Sequence, residues 1–370
     1  MAKLVNSPPE AYESFYAPDI RRTHYFDEPH PWESDQNVSQ RLKAMFDMVK
    51  RGRGHENFLK FADAEMRFLG FDPATVTQEQ FWPAHRQLVQ ELDGKIAERV
   101  DANQSLVMDR LAKDLADESL SYEELMQLFQ DRTKDTWTGV QDPWRGRVEA
   151  AVDINASGSH IGSDRGIEIK LAGLVYLSYR KVHEDIDEEI DELTKHEIMH
   201  SLFAVWYQPE HEFVGVLSNG LDILGKEPHG GWLNEATIEK YKKRRLGSKT
   251  FAYETGVLVL EVADAIDPDY EKMRLRAAVL NEGRGQVIGK LESIFGPLAF
   301  EKIDELINQC DEIEKISQFK TELMALLDKD RRQQADVVFD RVVEQIHQKY
   351  AKHLESKRQG AFEEPLKRAA

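Results

Sequence analysis

The 370-residue sequence predicts an α+β protein that is predominantly α-helical. Apolar residues recur at the spacing of helices through the first third of the chain and again beyond residue 250, whereas β-prone segments are confined to the middle. The composition, 41% hydrophobic and 31% charged, is typical of a globular protein, and the length predicts two or three substructures. We therefore treat residues 1–135, 136–265 and 266–370 as three regions.

The N-terminal region, residues 1–135, is predicted to be helical after an extended arm of about 35 residues, because prolines recur in that arm without a helical period. A break in the helical pattern is expected at the turn from Gly70 to Pro73. The apolar positions that predict the helices are Leu42, Met45, Phe46, Val49, Leu88, Leu92, Ile96 and Val100.

The middle region, residues 136–265, is predicted to contain a small sheet. VEAAVDIN (148–155) and GIEIKL (166–171) are β-prone, and the small residues between them indicate a loop. The segment LVYLSYR (174–180) fits either a strand or a helix. A strand near residues 166–178 would offer an edge to which an extended peptide could add.

The C-terminal region, residues 266–370, is predicted to be a helical subdomain with a polar tail. Its helical apolar positions include Ile303, Leu306, Cys310, Ile313 and Leu323. Cys310 is the only cysteine, so an intrachain disulfide and a zinc site built on two thiolates are excluded, and we expect this thiol to be buried and inert. Any metal must be held mainly by His, Asp or Glu.

The charge and hydropathy of the chain exclude two classes of partner. The formal charge of -18 opposes the phosphate backbone, so nucleic acid is not an expected partner. No stretch reaches the roughly 18 consecutive apolar residues of a membrane helix, and the N-terminal residues lack the pattern of a signal peptide. We expect no membrane association and a cytoplasmic location.

The segment HEIMH, residues 196–200, is the clearest chemical motif. On a helix, His196 and His200 lie one turn apart on one face, so both imidazoles can reach one cation, and Glu197 can reach a water on that cation. These residues continue an apolar stripe, so they are expected to point inward, where ionisable groups are costly unless paired or metal-bound. The alternative is a helix with two solvated or core histidines.

A second motif follows 35 residues after His200, where Glu235 stands near the start of another expected helix that ends at Gly247. HExxH followed by N-E-A-x-x-E resembles the gluzincin branch of the zinc metallopeptidases, which includes thermolysin-like enzymes. The resemblance implies a zincin-like catalytic core with a small β-sheet and an HExxH active-site helix, flanked by helical N- and C-terminal regions. The positions at which a metzincin would need a glycine and a third histidine are Phe203 and Trp206.

The resemblance also implies the site. His196, His200 and Glu235 would hold one catalytic Zn²⁺, and Glu239 would orient a ligand histidine. Other residues in the interval could supply the third ligand, and Glu239 could instead form an ion pair with Lys243. These alternative ligands are Glu212, Asp222, Glu227 and His229.

The implied reaction is hydrolysis of a peptide bond in a peptide or protein substrate. Glu197 would act as general base toward a zinc-activated water, and a phenol or imidazole would stabilise the oxyanion. Tyr253 is the first candidate for that donor, with Tyr241 and His229 as weaker ones. Two other functions stay open: a non-enzymatic helical scaffold with a structural or degenerate zinc site, and a zinc hydrolase of a non-peptide substrate.

Charged segments flank both motif helices. The acidic run 184–192 is interpreted as a solvated helix start, with a preference for cationic substrates as the alternative, and Lys195 is expected to turn to solvent. KYKKRR, residues 240–245, is interpreted as the cationic end of the helix that carries Glu235, in preference to a nucleic-acid patch.

Overall fold

The computed structural model describes residues 35–345 and 348, except 135, 146–151, 153–157, 162–165, 181–185, 208–214, 220, 222–230, 249–252 and 310–314. Within these residues the fold is mainly α-helical with two small sheets. The expected N-terminal arm and Cys310 lie outside the described residues, as does most of VEAAVDIN.

Four helices form the N-terminal part and confirm the predicted helical pattern. They are α1 (Asp35–Lys50), α2 (Glu56–Phe68), α3 (Gln78–Leu115) and α4 (Tyr122–Thr133). The break predicted at Gly70 is present, and Gly70 has the positive φ of 81° that glycine adopts without strain. Ser121 and Glu124 cap α4 reciprocally, which satisfies backbone donors at its first turn.

A three-stranded sheet lies between the N-terminal helices and the motif helices. Its strands are β1 (Trp137–Gln141), β2 (Gly158–Ile161) and β3 (Gly166–Lys170), followed by helix α5 (Leu171–Arg180). The order is β1-β3-β2, with β1 parallel and β2 antiparallel to β3. A 3₁₀ turn, Pro143–Arg145, follows β1.

Three details of this region differ from the prediction. Strand β3 is central, so the expected peptide-binding edge at 166–178 is wrong, and α5 resolves LVYLSYR as helix. Strand β2 lies within the segment that was predicted to be a loop. Its small polar residues have low β-propensity, but their backbone atoms pair with β3. Strand β1 was not predicted.

The motif helices follow. HEIMH lies on α6 (Ile186–Phe203), which leads into the antiparallel pair β4 (Ala204–Tyr207) and β5 (Gly215–Asn219). Glu235 lies on α7 (Gly231–Arg245), and α8 (Glu254–Ile266) packs against α7. Helix α3 packs along α6, so the N-terminal part supports the motif helix directly.

Four further named helices follow α8 in the described residues. They are α9 (Asp269–Leu280), α10 (Arg284–Phe295), α11 (Ala299–Gln309) and α12 (Ile316–Ala325), and residues 329–345 are also helical. One apolar core extends from Phe46 on α1 to Val342. Among the described helices, none has both the length and the apolar composition that crossing a membrane requires.

Candidate metal centre

The two histidines of HEIMH lie side by side on the buried part of α6. His196 Nε2 and His200 Nε2 are 3.0 Å apart, as expected for residues one turn apart on one face. From Thr194 to Phe203 every residue of α6 is buried, so the helix is enclosed on all sides and has no solvent-facing stripe over this stretch. The prediction that the motif points inward is confirmed.

Glu235 reaches this pair from α7. Its Oε2 lies 3.1 Å from His196 Nε2, and its Oε1 lies 3.2 Å from His200 Nε2. The neighbouring residues of the NEA motif fix α7 in place: Asn234 Oδ1 accepts from the Leu221 amide at 3.3 Å, and Ala236 packs directly on Gly256 of α8. The structure therefore brings together the three residues that the sequence predicts as ligands.

The geometry of these three residues fits a tetrahedral metal ion. Ligand atoms at about 2.0–2.1 Å from Zn²⁺ in a tetrahedron are about 3.3 Å from one another. In the structure the two Nε2 atoms are 3.0 Å apart, and His196 and His200 lie 3.1 and 3.2 Å from different oxygens of Glu235. With one oxygen taken from Glu235, the three ligand atoms lie within 4.8 Å of one another, and two of their three separations are close to the tetrahedral value. Among the described residues, His196, His200 and Glu235 form the one group of three or more candidate ligands with this proximity.

Glu239, one turn after Glu235 on α7, contacts the other nitrogen of His196. Its Oε1 lies 2.6 Å from His196 Nδ1. Because an ionised carboxylate only accepts hydrogen bonds, Nδ1 carries a proton, which leaves Nε2, the atom that faces Glu235 and His200, as the nitrogen that would bind a metal ion. The predicted orienting contact of Glu239 is present, and a metal-ligating histidine commonly makes such a contact.

The charges of the cluster suit a cation. Burial opposes protonation of His196, but Glu235 and Glu239 outweigh it and raise its pKa to about 10. Burial would raise the pKa of Glu239, yet Lys242 and His196 hold it at about 2. Despite burial, His200 and His196 keep the pKa of Glu235 below its usual range. The positive partners of these buried carboxylates are the two histidines and Lys242, and a bound divalent ion would take the place of the Nε2 protons of the histidines.

Glu197 is buried beside the histidines and is 4% exposed. Burial raises the pKa of its carboxyl, against the opposing effect of His196 and His200. A carboxyl with a raised pKa is a better proton acceptor near neutral pH than an exposed glutamate, because its conjugate acid is weaker. Its position and environment match those expected of a general base.

Tyr253 immediately precedes α8 and lies against the cluster. Its ring is nearly parallel to that of His196, at an interplanar angle of 13° and a centroid distance of 6.4 Å. Although Tyr253 is 48% exposed, partial burial and the carboxylates of Glu235, Glu197 and Glu239 raise the pKa of its hydroxyl. Tyr253 therefore combines access to solvent with proximity to the candidate metal ligands.

The weaker candidates for the donor and for the third ligand either lie away from the cluster or fall outside the described residues. Tyr241 is buried on another side of α7, where its hydroxyl donates to Asp114 of α3 at 2.9 Å. The alternative ligands Glu212, Asp222, Glu227 and His229 lie outside the described residues. Lys243, the alternative partner of Glu239, donates to Gln345 at 2.9 Å, while Glu239 accepts from His196 and Lys242.

Three lysines on α6 and α7 are buried, which the sequence did not predict. Lys195 was expected to face solvent but is only 7% exposed. Its ammonium group forms ion pairs with Asp191, at 2.7 Å, and with Glu192. Lys240 and Lys242 were interpreted as part of the cationic end of the helix that carries Glu235, and both prove to be buried and paired with acids. The i,i+3 spacing of Glu239 and Lys242 was the available signal.

The acidic run before HEIMH also has structural partners. Asp187 accepts from Lys95 of α3 at 2.6 Å, and Asp191 accepts from Asn103 at 3.1 Å. Glu192 is buried and accepts from Ser248. The interpretation of the whole run as solvated is therefore wrong for its last residues, because α3 and the segment after α7 cover them.

Comparisons with protein-family models, with curated proteins and with solved structures found no match for this chain.

Proposed function

We propose that this protein is a zinc-dependent metallopeptidase with a zincin-like core and a gluzincin-type site. The observation that supports the proposal is the convergence of two imidazole nitrogens and a carboxylate at 3.0–3.2 Å, with Glu197 buried beside them. Two histidines and one carboxylate from a single chain leave a position open in a tetrahedral ion, which is the arrangement of catalytic rather than structural zinc sites.

His196, His200 and Glu235 would hold the ion, and Glu239 would keep His196 in the tautomer that coordinates through Nε2. When bound, Zn²⁺ would act as a Lewis acid toward a water and the scissile carbonyl. Glu197 accepts a proton from the attacking water, whose oxygen bonds to the carbonyl carbon, and delivers that proton to the leaving nitrogen as the C–N bond breaks. The Tyr253 hydroxyl donates a hydrogen bond to the oxyanion that develops in this step.

An extended peptide would pair with strand β2. This strand lies at an edge of the described sheet, antiparallel to β3, and contacts α6. The opposite edge is covered, since α3 packs on β1 and Asp93 accepts from the Val140 amide at 2.9 Å. Main-chain pairing at β2 would place a substrate next to the HEIMH helix without requiring a particular side-chain sequence.

Glu197→Gln tests the proposal, because it keeps the size of the side chain and removes its basicity. We expect stoichiometric zinc in the wild type and in the variant, and a loss of peptide hydrolysis of about 10²–10⁴-fold in the variant. Glu188→Gln is the matched control, since Glu188 is exposed on the same helix and should retain wild-type cleavage.

A wild-type protein without zinc, or cleavage that Glu197→Gln leaves unchanged, would overturn the proposal. Stoichiometric zinc without cleavage of a peptide library would point to the helical scaffold with a structural zinc site. If the zinc protein instead turns over small esters or amides but no peptide, the non-peptide hydrolase is the correct function.

A further inference from the structure

Lys242 lies on the far side of Glu239 from the metal centre. It is 4% exposed, and its Nζ donates to Glu239 Oε1 at 2.8 Å. The same oxygen accepts the Nδ1–H of His196 at 2.6 Å. Lys242, Glu239 and His196 therefore form a continuous chain of hydrogen bonds from α7 to the imidazole that faces Glu235.

We propose that Lys242 is a positioning residue of the metal centre, which acts through Glu239 to set the orientation of His196. This inference builds on the proposed zinc site. Lys242 does not touch the ligand atoms, so it is not a catalytic residue. Its role is to hold the carboxylate of Glu239 in one rotamer, so that Nδ1 of His196 always has the same acceptor.

The physical argument follows from burial. A buried carboxylate with a single donor can rotate, whereas a second, charged donor satisfies it more strongly and fixes its direction. Both donors converge on a single oxygen, so the position of the ammonium directly restrains the atom to which His196 binds. Loss of an outer partner of a metal-ligating histidine typically lowers metal affinity by about 10–100-fold.

Lys240 shows that burial of a lysine on α7 does not by itself create this role. It is 1% exposed, and its Nζ donates to the Leu260 carbonyl at 2.9 Å and to Asp264. Asp264 also accepts from Arg274 of α9 at 3.0 Å. These contacts join α7 to α8 and α9, and Lys240 makes no described contact with Glu239 or His196, so it is a matched control for Lys242.

The test compares Lys242→Met, Lys242→Arg and Lys240→Met in the full chain. Zinc affinity is measured by chelator competition, and the hydrogen bond of His196 Nδ1–H is followed by the ¹H and ¹⁵N shifts of its ring. We expect Lys242→Met to lower zinc affinity by about 10–100-fold and to shift the His196 ring signals. Lys242→Arg, which keeps the charge, should restore most of both, and Lys240→Met should reduce stability while leaving both readouts unchanged.

A double-mutant cycle with Glu239→Gln separates action through Glu239 from any direct effect. In the Glu239→Gln background, Lys242→Met should cause no further loss of zinc affinity. The double variant removes the carboxylate and the ammonium together, so neither of these two charges is buried without its partner. Should Lys242→Met alone not fold, Lys242→Gln replaces it, with zinc affinity expected between the wild type and Glu239→Gln.

Wild-type zinc affinity and unchanged His196 signals in the Lys242 variants would overturn the positioning role, even if zinc binding itself is confirmed. Conversely, a wild-type protein that binds no zinc would overturn the proposed function, while the ring signals of His196 would still test whether Lys242 orients it.

Discussion

Tyr253 lies over the imidazole of His196, with ring planes 13° apart, and holds this position from a left-handed backbone conformation at φ 55° and ψ 40°. A non-glycine residue in this region costs about 1–2 kcal/mol. Tyr253 makes no side-chain capping bond to α8 that would repay this cost. The conformation instead places a half-exposed phenol beside three carboxylates and a candidate metal ligand, which supports a functional role for it.

Tyr253→Phe should therefore lower peptide hydrolysis by about 10²–10³-fold, the effect of removing one donor to an oxyanion. Zinc affinity should change little, because the phenol is not among the proposed ligands. Steady-state kinetics on a peptide and chelator competition measure the two quantities. Tyr241→Phe is the control: it should cost about 1 kcal/mol of unfolding free energy through its lost bond to Asp114, with wild-type turnover. Equal turnover in Tyr253→Phe and the wild type would exclude Tyr253 as the donor.

Gly256 is where α7 and α8 pack most closely. A Cβ at this position would lie 2.9 Å from the Cβ of Ala236, the residue next to Glu235, and 3.4 Å from the Trp232 ring. Because the Ala236 Cβ is attached directly to the backbone, the two helices must separate to admit another methyl group. We expect Gly256→Ala to destabilise the protein by about 1–2 kcal/mol net, since overpacking exceeds the gain in helix propensity.

The same substitution should weaken zinc binding, because Glu235 lies on α7 next to Ala236 and would move relative to the histidines of α6. Gly289→Ala is the control, as Gly289 lies within α10 with open space around it. That change should stabilise the protein by up to about 1 kcal/mol. Urea unfolding and chelator competition on both variants make the comparison. If Gly256→Ala proves as stable as Gly289→Ala and binds zinc normally, the close approach of α7 and α8 does not set the site.

The site was largely predictable from sequence because its information is local. HEIMH fixes two residues by helical periodicity, and Glu235 and Glu239 follow from one short motif on the next long helix. The ion-pair partners of Lys195, Lys240 and Lys242 were harder to predict from the sequence. Lys240, for example, is buried against Asp264, which lies 24 residues away on another helix. Hydropathy assigns such lysines to solvent, because the compensating acid is not visible in the local pattern.

Strand β2 illustrates a second limit. Its sequence, Gly-Ser-His-Ile, has low β-propensity, and it forms because β3 supplies backbone partners across the whole segment. Strand formation of this kind depends on tertiary context, whereas the long helices α3 and α6 carry their own signal over many turns.

Asn103 links the N-terminal part to the motif helix. Its Nδ2 donates to Thr194 Oγ1 at 2.9 Å and to Asp191 Oδ1 at 3.1 Å, and the residue is buried between α3 and α6. Asn103→Ala should lower the unfolding free energy by about 1–3 kcal/mol, because buried polar partners on α6 lose their donor. Urea unfolding measures the change, and Asn308→Ala, at an exposed position of α11, should remain within about 0.5 kcal/mol of the wild type. Equal stability of the two variants would show that α3 does not support α6 through this contact.

His85 forms a second buried cluster, remote in sequence from the metal centre. Its Nδ1 lies 2.6 Å from Glu65 Oε1 and its Nε2 lies 3.2 Å from Asp142 Oδ2. Trp144 Nε1 donates to the other oxygen of Glu65 at 2.6 Å. Two carboxylates require two N–H donors, so His85 is an imidazolium in the folded protein. Burial opposes this charge, but Glu65 and Asp142 raise the pKa of His85 to about 10.

The contribution of His85 to stability should consequently fall as the pH rises from about 6.5 to 8. The pKa of His85 is higher in the folded state than its ordinary value of 6.5, so its contribution is complete below pH 6.5 and is lost progressively toward pH 10. Burial lowers the pKa of Lys240 to about 8, so the contribution of Lys240 to stability increases with pH, but only above pH 8. Between pH 6.5 and 8 the effect of His85 is therefore not opposed by Lys240. His85→Gln removes the titrating group. Unfolding free energies of the wild type and the variant are compared in the zinc-bound protein, and their difference should decrease as the pH rises across this range. A difference that stays constant with pH would mean that His85 is neutral in the folded state.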